Sequence, residues 1–448
     1  MNVREGYPMP EANLERTWPK PGAAWCAVAI FSLAAVLSYT DRQILSLLID
    51  PIRAEMAISD TQVSLLQGLA FALIYSVAGL PLGRAADIFP RRTVIVAGVT
   101  LWSLATLACG YAQSFTGLFI ARVFVGVGEA CLAPAAMSMI GDYFPPRQRG
   151  TAIGTFLLGM VIGGGVAIMI GGSVLQAVQH GLVAGIPWLN ELSAWRAVLV
   201  LMALPGVVLV LLLLAVREPA RQLHAMQEGA YTLPLREVLR DFVRFRRSLM
   251  PLYVGMALMS VGDYAMSNWI PALLSRRYAM DPAQIGDLFG GAIIVGAAIG
   301  VFGGGFLADR WVARIGSRAR FMVAFIVTAL ALPGAFAGVT DSACMVIAGF
   351  TWWILMSSAA AAVAITAIQD VVPNHMRGLA IALAAFGNMM LGLGGGTTLT
   401  AWVNDHAFHN PLAIGTSMTL VSLPAGLLAV ILFWRGWHVT RAAASLEI

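Results

Sequence analysis

The stretch that decides the fold reads Arg122-Val-Phe-Val-Gly-Val-Gly-Glu129-Ala-Cys-Leu-Ala-Pro134. It places a cation and an acid within an apolar run that extends from Phe115 to Met139. On a helix, Arg122 and Glu129 project from nearly the same face, at heights roughly 10 Å apart. A charge at that depth in a bilayer costs about 3 kcal/mol. Such residues face a bundle interior or a wet cavity, so both side chains are candidates for function.

The composition shows that the surrounding medium is a bilayer. Of the 448 residues, 59% are hydrophobic and 11% are charged, and the mean hydropathy is +0.79. Soluble domains carry about 25% charged residues, which excludes that class. Twelve apolar runs are long enough to span a membrane, since about 20 residues are required. They lie at 24–49, 62–86, 93–111, 115–140, 150–178, 195–216, 250–274, 284–308, 320–339, 343–369, 378–403 and 411–434. The sequence therefore predicts an all-α polytopic membrane protein with twelve transmembrane helices.

The positive charges predict the orientation. The formal net charge is +5, but the basic residues sit in short loops between apolar runs, which favours a topology signal over a nucleic-acid partner. With the N-terminus inside, the loops on the outer side hold only Arg53, Arg196, Arg276 and Arg277. Apart from Arg42 and Arg122 within spans, all other Lys and Arg residues fall on the inner side. We expect both termini in the cytoplasm and the chain in a cell inner membrane, with the lipid bilayer as a partner.

An internal repeat predicts two halves. Arg149-Gly150 corresponds to Arg377-Gly378, 228 residues later, and Gly83-x-x-x-Asp87 corresponds to Gly305-x-x-x-Asp309, 222 residues later. Both offsets are near half the chain length, which indicates a parallel duplication of six spans. The predicted units are a cytoplasmic tail, a six-helix bundle, a cytoplasmic amphipathic linker, a second six-helix bundle and a second tail. They occupy residues 1–23, 24–216, 217–248, 249–436 and 437–448. Within the linker, Pro234 begins a predicted helix with arginines toward the inner leaflet.

Two loop motifs resemble the major facilitator superfamily. These are Gly83-x-x-x-Asp87-x-x-x-Arg91-Arg92 after span 2 and Gly305-x-x-x-Asp309-Arg310 after span 8, with Ile88 and Ala313 where arginine is usual. Glycine permits close helix approach, and the aspartate at an inner helix end can pair with loop arginines in one conformation only. The alternative is that these are ordinary solvated topology charges. The resemblance implies conformational gating by Gly83, Asp87, Arg91, Arg92, Gly305, Asp309, Arg310, Arg149 and Arg377.

Two further stretches resemble the spinster group of lipid transporters, in particular a bacterial homologue. They are Ser38-Tyr39-Thr40-Asp41-Arg42 in span 1 and Arg122 to Ala130 in span 4. The anion:cation symporter group, which imports sugar acids and aromatic acids, has a similar arrangement. The resemblance implies a secondary transporter and not an enzyme, moving an amphipathic lipid such as a lysophospholipid or sphingoid phosphate by alternating access. The alternatives are a symporter of small organic anions and a non-transporting receptor on the same fold.

The charged residues of these two spans predict a coupling site. Asp41 is about 12 Å deep and Arg122 about 10 Å deep, so an ion pair between them can form at one level. Glu129 lies near the midplane with no obvious basic partner at its height. We expect Glu129, Asp41 and Arg122 to couple protons to transport, while Arg42 attracts an anionic head group. The alternative is that these charges form a purely structural ion-pair network.

The second half supplies the remaining candidates for substrate binding. The resemblance implies that Tyr264, Asn268 and Trp269 in span 7 and Asn388 in span 11 lie on cavity-lining helices. The four cysteines form no metal or disulfide pattern, so protons are the expected coupling ion and no cofactor is expected. A primary pump is excluded because its nucleotide loop needs Gly-Lys-Ser/Thr and the only lysine is Lys20. We expect a monomer.

Overall fold

The computed structural model describes residues 18–221, 235–316, 318–373 and 376–444. In this part of the chain, twelve helices are long and apolar enough to cross a membrane. In chain order, α1–α12 are Pro21–Leu47, Asp60–Ile88, Arg91–Tyr111, Phe115–Tyr143, Pro146–Gln179, Ala194–Ala215, Phe245–Tyr278, Pro282–Ile315, Ala319–Val339, Ala343–Val371, Arg377–Phe408 and Pro411–Val439. The prediction of an all-α fold with twelve transmembrane helices is confirmed.

The helices form two bundles of six. In the first bundle, α1 packs against α5, and α3 packs against α4 and α6. In the second, α7 packs against α11 and α12, and α9 packs against α10. The bundles meet chiefly through two helix pairs, α5 with α8 and α2 with α11, and α1 also contacts α7. We call the end where α1 begins and α12 ends the inner end, and the opposite end the outer end.

Glycines allow the bundles to touch in their outer halves. A Cβ added to Gly165 of α5 would lie 2.4 Å from the carbonyl oxygen of Gly290 in α8. Nearer the outer end, a Cβ on Gly172 would lie 2.2 Å from the carbonyl oxygen of Pro282. Between α2 and α11, a Cβ on Gly68 would lie 2.5 Å from the carbonyl of Leu393. Only residues without a Cβ allow helix backbones this close, so these contacts hold the outer half of the molecule together.

Three helices are irregular near the centre. Helix α4 consists of two pieces, Phe115–Glu129 and Leu132–Tyr143. Proline lacks the N–H that would bond the carbonyl four residues earlier, so Pro134 explains the break at residue 130. Helices α2 and α11 contain π-helical turns at Leu65–Leu69 and Asn388–Gly396, features that are frequent at functional sites. Glu129 therefore ends a helical segment at the middle of the membrane.

The region between the bundles continues directly into α7. One helix runs from Leu235 to Tyr278, so the second part of the predicted linker is helical and joins the membrane span without a break. Residues 222–234, including Pro234, and the side chains of residues 235–239 and 241–244 lie outside the description. The last helix extends to Ala444, through much of the segment predicted as a tail.

Candidate functional site

The centre of the first bundle holds a buried ion pair. The Nε atom of Arg42 lies 2.6 Å from Oε2 of Glu129, and the hydroxyl of Ser38 donates to the same oxygen at 2.7 Å. Arg42 also donates to the Ser38 hydroxyl at 3.2 Å. The expectation that Glu129 has no basic partner is wrong. Ser38 and Arg42 are one turn apart on α1, so both side chains reach the same carboxylate on α4.

Aromatic rings enclose the Arg42 guanidinium. Its central carbon lies 5.1, 4.6 and 4.8 Å from the ring centroids of Tyr39, Phe71 and Tyr75. We call these three rings the aromatic cage. Each cation–π contact contributes up to about 2 kcal/mol in a desolvated site, which offsets part of the cost of burying the charge. Phe71 and Tyr75 were not among the predicted site residues, although their spacing of four residues on α2 puts both rings on one face.

Arg122 is buried beside this pair but is not ion-paired with Asp41. Its Nη1 donates to the backbone carbonyl of Asp41 at 3.0 Å, and the two side chains form no ion pair in the described structure. The predicted Asp41–Arg122 ion pair is therefore wrong in this conformation. Equal depth places two residues at one level but does not fix the direction in which each side chain turns. Asp41 still lies within electrostatic reach of Glu129, Arg122 and Arg42, so the four residues form one cluster.

This charged cluster has unused hydrogen-bonding capacity. Arg122 is 1% exposed, and its Nε and Nη2 atoms have no hydrogen-bond partner among the described residues. The same holds for Oε1 of Glu129. Leaving a buried polar group unpaired costs about 1–3 kcal/mol, and more if it is charged. The cluster therefore keeps free hydrogen-bond donors on Arg122 and a free acceptor on Glu129.

A small cavity adjoins Arg42 and Glu129. Its volume is about 10 Å³, which accommodates a water molecule but no organic substrate. It is lined by Ala35, Ser38, Tyr39, Arg42, Tyr75, Glu129, Leu132, Ala133, Phe156 and Met160. A ligand can occupy this position only if the caged arginine or its neighbours move.

The second-bundle candidates fall into two groups. Tyr264 lies within electrostatic reach of Arg42 and the cage residues Tyr39 and Tyr75, so it faces the charged cluster across the bundle interface. The side-chain oxygen of Asn388 is buried without a hydrogen-bond partner among the described residues.

Asn268 and Trp269 are used differently. Their side-chain nitrogens donate to the hydroxyl and the backbone carbonyl of Thr397, at 2.7 and 3.0 Å. Both residues are buried and hold α7 to α11 in this conformation, so the cavity contact expected for them stays a prediction.

The inner motif of the first bundle forms different contacts from those expected. Arg91 is 2% exposed and binds Asp142 at the end of α4, and its Nε lies 3.1 Å from Glu218 after α6. Arg92 donates to two backbone carbonyls at the end of α6. The expected pairing of Asp87 with these arginines is absent here, and its backbone carbonyl instead accepts from Arg221.

The inner motif of the second bundle likewise pairs through a residue outside the motif. Asp309 lies 3.7 Å from the guanidinium of Arg320, which also approaches Asp370 at 3.2 Å. Arg377 donates to the carbonyl of Gln369 at 3.0 Å. The Nε atom of Arg149 is buried without a hydrogen-bond partner in the described part of the chain. No ion pair of Arg310 occurs within that part.

The two motif glycines are not at close helix contacts in this conformation. A Cβ added to Gly83 or Gly305 would meet nothing within 4 Å. The close packing expected at these two glycines is therefore absent in this conformation.

The outer end carries a charged cluster that the sequence analysis missed. Arg276 of α7 binds both oxygens of Asp60 at 2.8 Å and Asp50 at 2.7 Å. Thr61 donates twice to Asp405 of α11, each time at 2.7 Å. We call Asp50, Asp60 and Arg276 the outer cluster. Its bonds join the first bundle to the second at the same end as the closest glycine contacts between the bundles, so the outer end is closed in this conformation.

Two six-helix bundles that meet around buried charges define a polytopic transporter rather than a receptor with a single span. A family model described as Major Facilitator Superfamily matches residues 31–397, and the chain belongs to this family of non-enzymatic carriers.

Relatives place the chain among several transporter groups. It is 27% identical to an MFS-type efflux pump of Mycolicibacterium smegmatis, over 92% of each chain. It is 26% identical to the sphingosine-1-phosphate transporter SPNS2 of Mus musculus, over 84% of this chain and 69% of that protein. It is also 26% identical to a probable L-galactonate transporter of Escherichia coli, over 65% of this chain and 62% of that protein.

A solved structure shares the fold. A bacterial homologue of the human lysosomal transporter spinster, inward-facing and unoccupied, aligns with a TM-score of 0.79 at 23% identity. The alignment covers 94% of this chain and 98% of that one. The predicted membership of the superfamily and the resemblance to spinster proteins are both confirmed.

Proposed function

We propose that the protein is a proton-coupled transporter of an anionic amphipathic lipid, acting as a monomer by alternating access in a bacterial inner membrane. The observation that carries the proposal is the pairing of Arg42 with Glu129 inside the aromatic cage. In this conformation Glu129 is the carboxylate that neutralises the caged guanidinium. A substrate anion would compete with Glu129 for the same donors.

Proton transfer to Glu129 would exchange its partners. The ionised carboxylate accepts hydrogen bonds from both Arg42 and Ser38. Once protonated, Glu129 no longer neutralises Arg42, which keeps its charge because the guanidinium does not lose its proton in proteins. The freed guanidinium can then bind a phosphate or carboxylate bidentately. Proton and substrate therefore bind cooperatively, which is the basis of coupling.

The other residues of the site have supporting roles in this proposal. Asp41 supplies a second carboxyl that can carry a proton, and Arg122 keeps a positive charge beside it. Tyr264 and Asn388 contact the substrate from the second bundle. Asn268 and Trp269 bind Thr397 and so position α11 around the site.

Gating at the inner end would use the two loop motifs. In this conformation Asp87 and Arg310 have no ion-pair partner among the described residues. The other charged residues of the motifs have local partners, namely Arg91, Arg92, Asp309 and Arg377. Closing the inner end brings the two bundles together there. We expect Gly83 and Gly305 to allow that approach, and Arg149 to gain a partner for its buried guanidinium.

The lipid is favoured as substrate by the extent of the similarity. The mouse sphingosine-1-phosphate transporter matches 84% of this chain, against 65% for the L-galactonate transporter. A small organic anion is the second candidate, because the same arginine recognises a phosphate and a carboxylate. Both candidates use the anion exchange at Arg42.

The experiment combines binding and transport with the purified full chain. Thermal shift with lysophospholipid, sphingoid phosphate, sugar acids and aromatic acids identifies the substrate class. Proton-driven transport of the identified ligand is then measured in proteoliposomes for wild type and Glu129→Gln. We expect Glu129→Gln to bind ligand but to lose the stimulation by a pH gradient.

The matched control is Glu191→Gln, which changes an exposed acid between α5 and α6. It should transport like wild type. Undiminished pH-driven transport by Glu129→Gln would remove Glu129 as the proton carrier. Binding of ligand with no transport by the wild type would instead support a receptor.

A further inference from the structure

A groove with three arginines lies at the inner end of the second bundle, away from the central charged cluster. Its volume is about 370 Å³, and it runs between the start of α7 and the end of α12. Arg246 and Arg247 of α7 and Arg435 of α12 line it. We call the space that these three residues line the arginine groove. The rest of the lining is apolar, including Met250 and Val254 on one helix and Leu432 on the other.

No described residue neutralises the positive charge of this groove. All three arginines are exposed, and none forms an ion pair or hydrogen bond with another described residue. No acidic side chain lines the groove. Other arginines at the inner end do have carboxylate partners, as Arg91 and Arg320 show. Three adjacent cations without an acid form a local positive field that selects an anion.

The combination of charge and shape selects one kind of anion. Arginine binds phosphate through its planar fork of donors. An apolar wall continues from the arginines toward the membrane interior, along the first turns of the span formed by α7. A soluble anion would leave that wall uncovered, whereas a phospholipid fits both parts at once. The count of basic residues assigns this end to the cytoplasmic leaflet, where anionic lipids attract basic pockets between helices.

We propose that the arginine groove binds an anionic phospholipid of the inner leaflet, with its phosphate on Arg246, Arg247 and Arg435 and an acyl chain along Met250, Val254 and Leu432. This lipid is a bound component of the transporter and is distinct from its substrate. Every described residue that lines the groove belongs to α7 or α12, so the groove lies outside the space between the two bundles. The inference does not depend on the transported substrate or on proton coupling.

The test is native mass spectrometry of the full chain titrated with dioleoyl phosphatidylglycerol or dioleoyl phosphatidylcholine. We expect wild type to prefer phosphatidylglycerol. The triple variant Arg246→Gln/Arg247→Gln/Arg435→Gln should bind it more weakly by about fivefold for each arginine removed. The matched control Arg84→Gln/Arg147→Gln/Arg217→Gln removes three exposed arginines at the same end and should bind like wild type.

A second variant tests the apolar wall without changing the charge. Leu432→Trp fills the groove and should weaken phosphatidylglycerol binding while all three arginines remain. Equal losses in the groove and control triple variants would show general surface attraction and overturn the proposal. Unchanged binding by Leu432→Trp would refute the acyl contact. Competition by soluble glycerol phosphate at the same concentration as the lipid would show an anion site only.

Discussion

Arg42 is the residue around which the candidate site is built. A buried guanidinium needs compensation, and here it comes from the Glu129 carboxylate, the Ser38 hydroxyl and the aromatic cage. Removing one partner of a buried pair leaves the other charge uncompensated, which costs about 3–5 kcal/mol. The contributions of Arg42 and Glu129 to the free energy of unfolding are therefore strongly coupled.

A double-mutant cycle tests this coupling. Arg42→Gln and Glu129→Gln should each lower the free energy of unfolding by about 3 kcal/mol. The double variant should lose less than the sum, by about 1–3 kcal/mol, because neither charge is left unpaired. The measurement is unfolding of the purified protein in detergent by titration with denaturing surfactant.

The exposed pair of Arg277 and Asp341 is the control, since Asp341 has a side chain that is 97% exposed. Its cycle should show no measurable coupling. Strict additivity of the Arg42 and Glu129 losses would contradict the ion pair.

The residues of the site could be predicted from the sequence only in part. Charged residues in apolar spans identify Asp41, Arg42, Arg122 and Glu129, because burial of charge is costly and rarely accidental. Helical rise gives their depth, and the depth prediction suggested a partner for Arg122 rather than for Arg42. The direction of a side chain around its helix depends on neighbours from other helices. Phe71 and Tyr75 are such neighbours, and an apolar span gives aromatic residues no distinguishing signal.

At the scale of the element, the local irregularities follow from individual residues. Pro134 interrupts α4 directly after Glu129. The π-helical turn of α2, which contains Gly68, meets the glycine-rich π-helical turn of α11. The position of spans was predictable because length and hydropathy decide it. Which glycines contact another helix could not be predicted, because Gly165 and Gly291 look equivalent in the sequence.

These two glycines give a prediction about the contact between α5 and α8. A Cβ on Gly165 would lie 2.4 Å from the carbonyl oxygen of Gly290, whereas one on Gly291 would meet nothing within 4 Å. Gly165→Ala should therefore separate the helices and lower the free energy of unfolding by about 1–3 kcal/mol. Gly291→Ala should be neutral or stabilising by up to about 1 kcal/mol, because alanine favours the helix.

Unfolding in detergent measures both variants. A similar loss for both would mean that helix propensity, and not the α5–α8 contact, determines the effect. A stable Gly165→Ala variant would show that the two bundles do not pack this closely in the protein.

At the scale of the whole molecule, the sequence predicted two halves but not the conformation. The duplicated motifs and the loop charges define the halves without reference to how they touch. The outer cluster joins residues 216 and 226 positions apart, and each member lies in a loop or at a helix end where charges are ordinary. No local pattern distinguishes Arg276, which closes the outer end, from its neighbour Arg277. That distinction requires the packing of both bundles.

The outer cluster therefore provides the prediction for the whole molecule. Hydrogen bonds to charged groups contribute about 1.5–3 kcal/mol each. Loss of those from Arg276 to Asp50 and Asp60 should shift the equilibrium toward an outward-open conformation by at least about tenfold. The reporter is Ser46→Cys, at a position that is 1% exposed and lines a cavity at this interface. The four native cysteines are replaced by alanine in this background.

Labelling by a membrane-impermeant maleimide should be about tenfold faster in Arg276→Gln than in its parent, because opening of the outer end exposes position 46. Arg277→Gln is the matched control, since its exposed partner Asp341 belongs to the same bundle and does not connect the two halves. It should leave the rate unchanged. Equal acceleration by both variants would assign the effect to surface charge, and an unchanged rate in Arg276→Gln would show that the glycine contacts alone keep the outer end closed.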